Sequence, residues 1–87
     1  MKMIIAIVRD SDLESVSQAL TSADFRVTRI ASTGGLLRRG VATLLAGVEE
    51  ERVEAALQVL RQALTPAPAG EKRATIFVVP VDQFTQV

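Results

Sequence analysis

The fold is decided chiefly by residues 25–48, FRVTRIASTGGLLRRGVATLLAGV. Residues 25–28 alternate apolar and polar side chains, which is typical of a half-buried strand, and residues 41–48 form a second, mostly apolar run. The glycines of Thr33-Gly34-Gly35 lie between the two runs and can adopt positive φ. The stretch therefore predicts a hairpin of two strands. The alternation changes phase at residues 29 and 30, which predicts a bulge or a local twist in the first strand.

The same stretch is the most basic part of the chain. It holds four of the ten Lys and Arg residues and no Asp or Glu, although the formal net charge of the chain is zero. The backbone N–H groups of Thr33-Gly34-Gly35 could form a nest for a phosphate, with Arg38 and Arg39 neutralising its charge. The alternative interpretation is a basic hairpin in which the glycines only make the turn. The residues alone leave both interpretations open.

Outward from this hairpin, each segment has its own signature. Residues 3–8, MIIAIV, predict a strand buried on both faces and central in its sheet. Residues 11–14, SDLE, fit a capping box and predict the start of an amphipathic helix, and the acidic residues 49–51 predict the start of a second. A proline-containing linker follows at residues 65–70, and residues 73–81 predict a last strand whose Pro80 marks a sheet edge or a bulge.

The resulting order is strand, helix, strand, strand, helix, strand. This order predicts an α+β fold of the ferredoxin-like βαββαβ type, in which two helices cover one face of an antiparallel sheet. The length of 87 residues predicts a single domain, residues 1–87. Because several strands are apolar at consecutive positions, the second sheet face also needs cover. We therefore expect a homo-oligomer with its sheets packed inward.

Composition excludes several function classes. The chain has no Cys and no His, and no Ser, Lys or carboxylate set has an activating arrangement, so we expect no catalytic residues and no enzyme activity. The adjacent carboxylates of residues 49–51 diverge on a helix, so we expect no metal site. Balanced charge argues against binding to a nucleic acid polymer or a membrane surface. The apolar start is too short to span a membrane, and we expect a cytoplasmic protein.

Several motifs, read in order, resemble the cyclic di-AMP receptor family of the PII-like superfamily of signal-transduction proteins. The motifs are the starting MKMIIAIV, FRVT at residues 25–28, TGGLLR at residues 33–38, the glycine at position 47 and the ending FVVPVDQFTQ. The resemblance covers nearly the whole chain. It implies a homotrimer of ferredoxin-like subunits that binds cyclic di-AMP in clefts between neighbours, without catalysis and without a further cofactor. It also implies a downstream protein partner whose identity the sequence does not give.

The resemblance implies ligand-binding positions wherever the motifs align. These positions are Asp24, Arg26, Thr28, Gly35, Leu36, Leu37, Gly47, Phe77 and Gln86, to which the phosphate-nest interpretation adds Gly34 and Arg38. Taken by themselves, Arg26 and Thr28 share one face of their strand and could contact one ligand, but a solvated arginine explains the pattern equally well. Phe77 is either a core residue or a ring that stacks on a base. A role for Gln86 requires that the C-terminal residues be tied down.

Two further hypotheses remain open at this point. The family usually has Phe and Asn where this chain has Leu36 and Val41, so the ligand could be another adenine nucleotide or a small anion. A third hypothesis is a structural or adaptor trimer that binds a protein partner through its outer helices and takes no nucleotide. Titration against a panel of nucleotides separates the first two hypotheses, and a pull-down that nucleotides do not affect would support the third.

Overall fold

A computed structural model describes residues 1–30 and 40–87. Its strands are β1 (Lys2–Arg9), β2 (Arg26–Ile30), β3 (Val41–Val48) and β4 (Ala74–Pro80), and its helices are α1 (Leu13–Ser22) and α2 (Val53–Ala63). One 3₁₀ turn precedes each helix, at Asp10–Asp12 and at Glu50–Arg52. The order of elements confirms the predicted βαββαβ arrangement. The predicted phosphate nest and its flanking residues, 33–39, lie outside the described residues.

The sheet is antiparallel and has the strand order β2-β3-β1-β4. The predicted central position of β1 is confirmed, and Pro80 ends the edge strand β4, where no neighbouring strand needs its missing N–H. Of the predicted bulge or local twist in β2, the bulge is wrong, because β2 pairs with β3 in continuous register from Arg26 opposite Gly47 to Ile30 opposite Thr43. Arg29 lies on the helix-covered face of the sheet. It needs no bulge there, because its side chain reaches the edge of the sheet and pairs with Glu14 of α1.

The helices cover one of the two faces of the sheet. Alternate residues of the two central strands, among them Ile4, Val8 and Leu44, are buried with Val16 and Leu20 of α1 and Ala56 and Leu60 of α2 in one core. Both helices therefore cover the same face, as predicted. The opposite side, here called the open face, carries the alternate residues Met3, Ile5, Ile7, Arg26, Thr28, Ile30, Thr43, Leu45, Gly47, Thr75, Phe77 and Val79.

Helix α1 begins differently from the prediction. The residue before its first turn is Asp12 rather than Ser11, and no side chain caps the helix, so the predicted capping box does not form. The Asp12 carboxylate instead accepts hydrogen bonds from the Thr65 N–H at 3.2 Å, the Thr65 hydroxyl at 3.0 Å and the Arg9 Nε at 3.2 Å. A contact with a residue 53 positions away has replaced the local one.

Candidate functional site

A cavity of about 810 Å³ lies where one end of the open face meets the C-terminal residues 81–87. We call it the tail cavity. The sheet contributes Met3, Arg26, Val27, Thr28, Leu45 and Gly47 to its lining, the ends of α1 and of its following turn contribute Thr21 and Phe25, and the two chain termini contribute Met1, Val81, Gln83, Phe84 and Gln86. The tail is held at its base by a hydrogen bond from the Val81 N–H to the Met1 carbonyl at 3.1 Å.

The structure brings four of the predicted binding residues together. Arg26 of β2 lies opposite Gly47 of β3 in the sheet register, Thr28 lies two residues further along the same face, and Gln86 arrives from the tail. All four line the tail cavity. Arg26 and Thr28 share a face because side chains alternate along a strand, and Gly47 exposes its backbone there because it has no side chain.

Other predicted residues lie elsewhere. Asp24 is an exposed residue of the turn between α1 and β2, has a φ of 70°, and is not part of the cavity lining. Phe77 lies on the open face of β4 with 52% of its surface exposed, but β1 separates it from β3, so it is outside the tail cavity of its own chain. Gly34, Gly35, Leu36, Leu37 and Arg38 lie outside the described residues.

Sequence reasoning missed most of the residues that the termini supply. Met1, Met3, Val81, Gln83 and Phe84 all line the cavity. The available signal was the ending VDQFTQV, which places a phenylalanine and two amides after the last strand in a segment too polar for a further strand. Nothing in that segment indicated that its base would bond to the first residue of the chain.

The charge of the described tail cavity is positive. Arg26 supplies a guanidinium, and no carboxylate lies among the lining residues that the structure describes. Neither of the two ion pairs within residues 1–30 and 40–87 involves Arg26, because they join Arg9 to Asp12 and Arg29 to Glu14. The remaining lining is mainly apolar, with hydroxyl groups from Thr21 and Thr28 and amides from two glutamines. Such a site suits a flat, largely apolar ring that carries an anionic group.

The described residues contain no cluster of three or more acidic residues that could hold a metal ion. None of the helices in residues 1–30 and 40–87 is long and apolar enough to cross a membrane.

A four-stranded ferredoxin-like sheet and a mainly apolar cavity lined by one guanidinium are suited to binding a small ligand. Comparison with known families places this protein in a particular class. The model of the cyclic-di-AMP receptor family matches residues 1–67, and the chain belongs to that family. Its members are receptors that bind a cyclic dinucleotide and do not transform it. Phe77 and Gln86 lie beyond the matched segment.

A solved structure agrees with this assignment. A protein of unknown function from Pediococcus pentosaceus is 36% identical in sequence, with a TM-score of 0.78, and the match covers 99% of this chain and 96% of that one. The predicted fold and the predicted family resemblance are therefore both confirmed.

Proposed function

We propose that this protein is a non-enzymatic signal-transduction protein that binds cyclic di-AMP in clefts between the subunits of a homotrimer. The observation that carries the proposal is the tail cavity, in which Arg26, Thr28 and Gly47 line one space at the end of an uncovered sheet face. The membership of the chain in the cyclic-di-AMP receptor family supports this choice of ligand.

The guanidinium of Arg26 suits one phosphodiester of the ligand. Each of the two phosphodiesters of cyclic di-AMP carries one negative charge, which a guanidinium can neutralise with two parallel hydrogen bonds. Arg26 is the guanidinium among the described lining residues. The hydroxyl of Thr28 and the amide of Gln86 can then bond to ribose or base edges, while Gly47 allows close approach to the backbone.

The trimer part of the proposal rests on Phe77. Its ring is on the same open face as Arg26 and Thr28 but outside the cavity of its own chain. If open faces pack against each other, Phe77 of one subunit can reach the tail cavity of a neighbour. Asp24 and residues 34–38 remain predicted binding positions within the same proposal.

Isothermal titration tests this function. The full chain is titrated with cyclic di-AMP, and with cyclic di-GMP, ATP, ADP and AMP in parallel. We expect cyclic di-AMP to bind most tightly, and Arg26→Ala to weaken its binding by roughly 10- to 150-fold, the equivalent of one charged hydrogen-bond partner.

Arg29→Ala is a matched control, because Arg29 is on the same strand but points to the other face and pairs with Glu14. It should bind cyclic di-AMP like the unmodified chain. Tighter binding of a mononucleotide would favour the alternative ligand, for which the replacement at Val41 is the motivating observation. No heat with any nucleotide at high protein concentration would contradict the proposal and favour the adaptor hypothesis.

A further inference from the structure

We infer that Phe84 is the aromatic platform on which a purine base of the ligand stacks. The inference rests on the proposed function of the tail cavity as a nucleotide site and deepens it by assigning the residue that selects for a base. Phe84 lies in the C-terminal tail, lines the cavity and keeps 59% of its surface exposed.

The chain offers few rings for this role. It has three phenylalanines and no tyrosine, tryptophan or histidine. Phe25 also lines the cavity, but it is only 5% exposed, and the Arg52 guanidinium lies over its ring at 4.2 Å from the centroid. One face of that ring is therefore occupied by a cation and most of the remainder by the core. Phe77 lies outside the cavity of its own chain. Phe84 is left as the ring that one chain can present to its own ligand.

The tail is anchored to the sheet before Phe84 and has a local side-chain contact around it. The Val81 N–H bonds to the Met1 carbonyl at 3.1 Å three residues before it. The Gln83 amide donates to the Thr85 hydroxyl at 3.3 Å across it. The apolar side chains of Met1, Met3 and Val81 continue the surface of the cavity beside the ring. An exposed aromatic ring costs solvation unless something covers it, and every nucleobase has a π-face that can do so.

The geometry divides the recognition of the ligand between two walls. The sheet wall holds the guanidinium of Arg26 and the hydroxyl of Thr28 on one face, and the tail wall holds the ring of Phe84 with the amides of Gln83 and Gln86. Because Arg26 and Phe84 line the same cavity, we expect a base on Phe84 to direct its attached phosphodiester toward the guanidinium. The larger face of a purine then gains more from stacking than that of a pyrimidine, which makes Phe84 a determinant of specificity.

Two substitutions test the assignment in the full chain. Phe84→Leu retains an apolar side chain but removes the ring, and we expect cyclic di-AMP to bind roughly 5- to 150-fold more weakly by isothermal titration, the range for loss of one stacked base. Because Phe84 is exposed, the Phe84→Leu variant should unfold at the same temperature as the unmodified chain. Val87→Ala, at an exposed tail position outside the cavity, is the control and should leave affinity unchanged.

Phe84→Trp adds a spectroscopic readout, since the chain has no other tryptophan. Adenine stacking should quench its fluorescence with the same midpoint as the titration, whereas Val87→Trp should respond little. If the unmodified chain binds cyclic di-AMP and Phe84→Leu binds it equally well, this assignment is overturned while the proposed function stands. If the unmodified chain binds no adenine nucleotide, the assignment and the proposed function both fail.

Discussion

Gly47 shows at the scale of one residue how a requirement of the site can be separated from a requirement of the fold. The nearest atom that an added Cβ would meet is the Met1 Sδ at 3.9 Å, an ordinary contact distance. Its φ is not in the left-handed region that favours glycine. Glycine inside a strand costs about 0.5–1 kcal/mol relative to alanine. The fold would therefore accept alanine, and the place where a methyl group would intrude is the tail cavity.

We predict that Gly47→Ala leaves the free energy of unfolding unchanged or raises it by up to about 1 kcal/mol, while it weakens binding of cyclic di-AMP. Urea denaturation and isothermal titration measure the two effects. Gly70→Ala provides the opposite control, because Gly70 has a φ of +83° and lies outside the cavity. That change should lower the free energy of unfolding by about 1–2 kcal/mol and leave the affinity for cyclic di-AMP unchanged. Normal binding by Gly47→Ala would contradict a close approach of the ligand to this strand.

Individual site residues could be predicted from the sequence where they belong to an alternating strand pattern. Arg26 and Thr28 share a face because they are two residues apart on a strand, and that pattern is visible in the sequence. The family resemblance supplied Gly47 and Gln86, which no local pattern distinguishes. The place of Phe84 in the cavity was not predicted, because it depends on contact between the two ends of the chain. That contact exists because β1 and β4 are neighbours in the sheet.

At the scale of elements, one buried carboxylate joins three of them. Asp12 is fully buried between the end of β1, the start of α1 and the segment after α2. Thr65 donates to it twice, and Arg9 donates to it and also to the Thr65 hydroxyl at 2.7 Å. Burial by itself raises the pKa of Asp12, but the hydrogen bonds from Thr65 and Arg9 and the charge of Arg9 outweigh it and hold the pKa below its ordinary value.

This direction of shift fixes the sign of a pH dependence. The folded pKa of Asp12 is lower than its unfolded value of about 3.9, so its contribution to stability is complete above roughly pH 5 and is lost as the pH falls through the folded pKa. We predict that Asp12→Asn lowers the free energy of unfolding by about 2–3 kcal/mol at pH 7. The difference from the unmodified chain should shrink at pH 3 in urea denaturation. Asp10→Asn, at an exposed neighbour, should have little effect at either pH. An equal loss at both pH values would mean that the ionised form of Asp12 is not what stabilises the junction.

The order of elements followed from local signals, and the two local errors have long-range causes. The capping box at residues 11–14 satisfies the spacing rule, yet Asp12 is engaged by Thr65 far along the chain. The bulge was inferred from a polar residue in an inward phase, but Arg29 meets Glu14 across the edge of the sheet. In both cases a polar partner outside the segment satisfied a group that a short window of sequence leaves unpaired.

At the scale of the whole molecule, the open face is the apolar surface that the described residues of a single chain leave largely uncovered. Phe77, Ile5, Leu45 and Thr28 form one row across all four strands, since each lies opposite the next in register. Three of the four are large and apolar. Both helices cover the other face, so the described residues leave this row uncovered apart from the end that meets the tail. An uncovered apolar row across a sheet is a surface for association.

We predict that the unmodified chain runs as a trimer of three 9.4 kDa subunits and that Phe77→Lys reduces it to a monomer. A buried lysine without a partner at the packed faces would cost several kcal/mol per subunit, whereas in the isolated chain the ammonium group can reach water. Val78→Lys is the matched control, because Val78 is the next residue on the same edge strand, is 40% exposed and points to the helix-covered side. Size-exclusion chromatography with light scattering gives the masses. A trimer that survives Phe77→Lys, or an unmodified chain that is monomeric at high concentration, would place the assembly surface elsewhere and would remove Phe77 from any shared cleft.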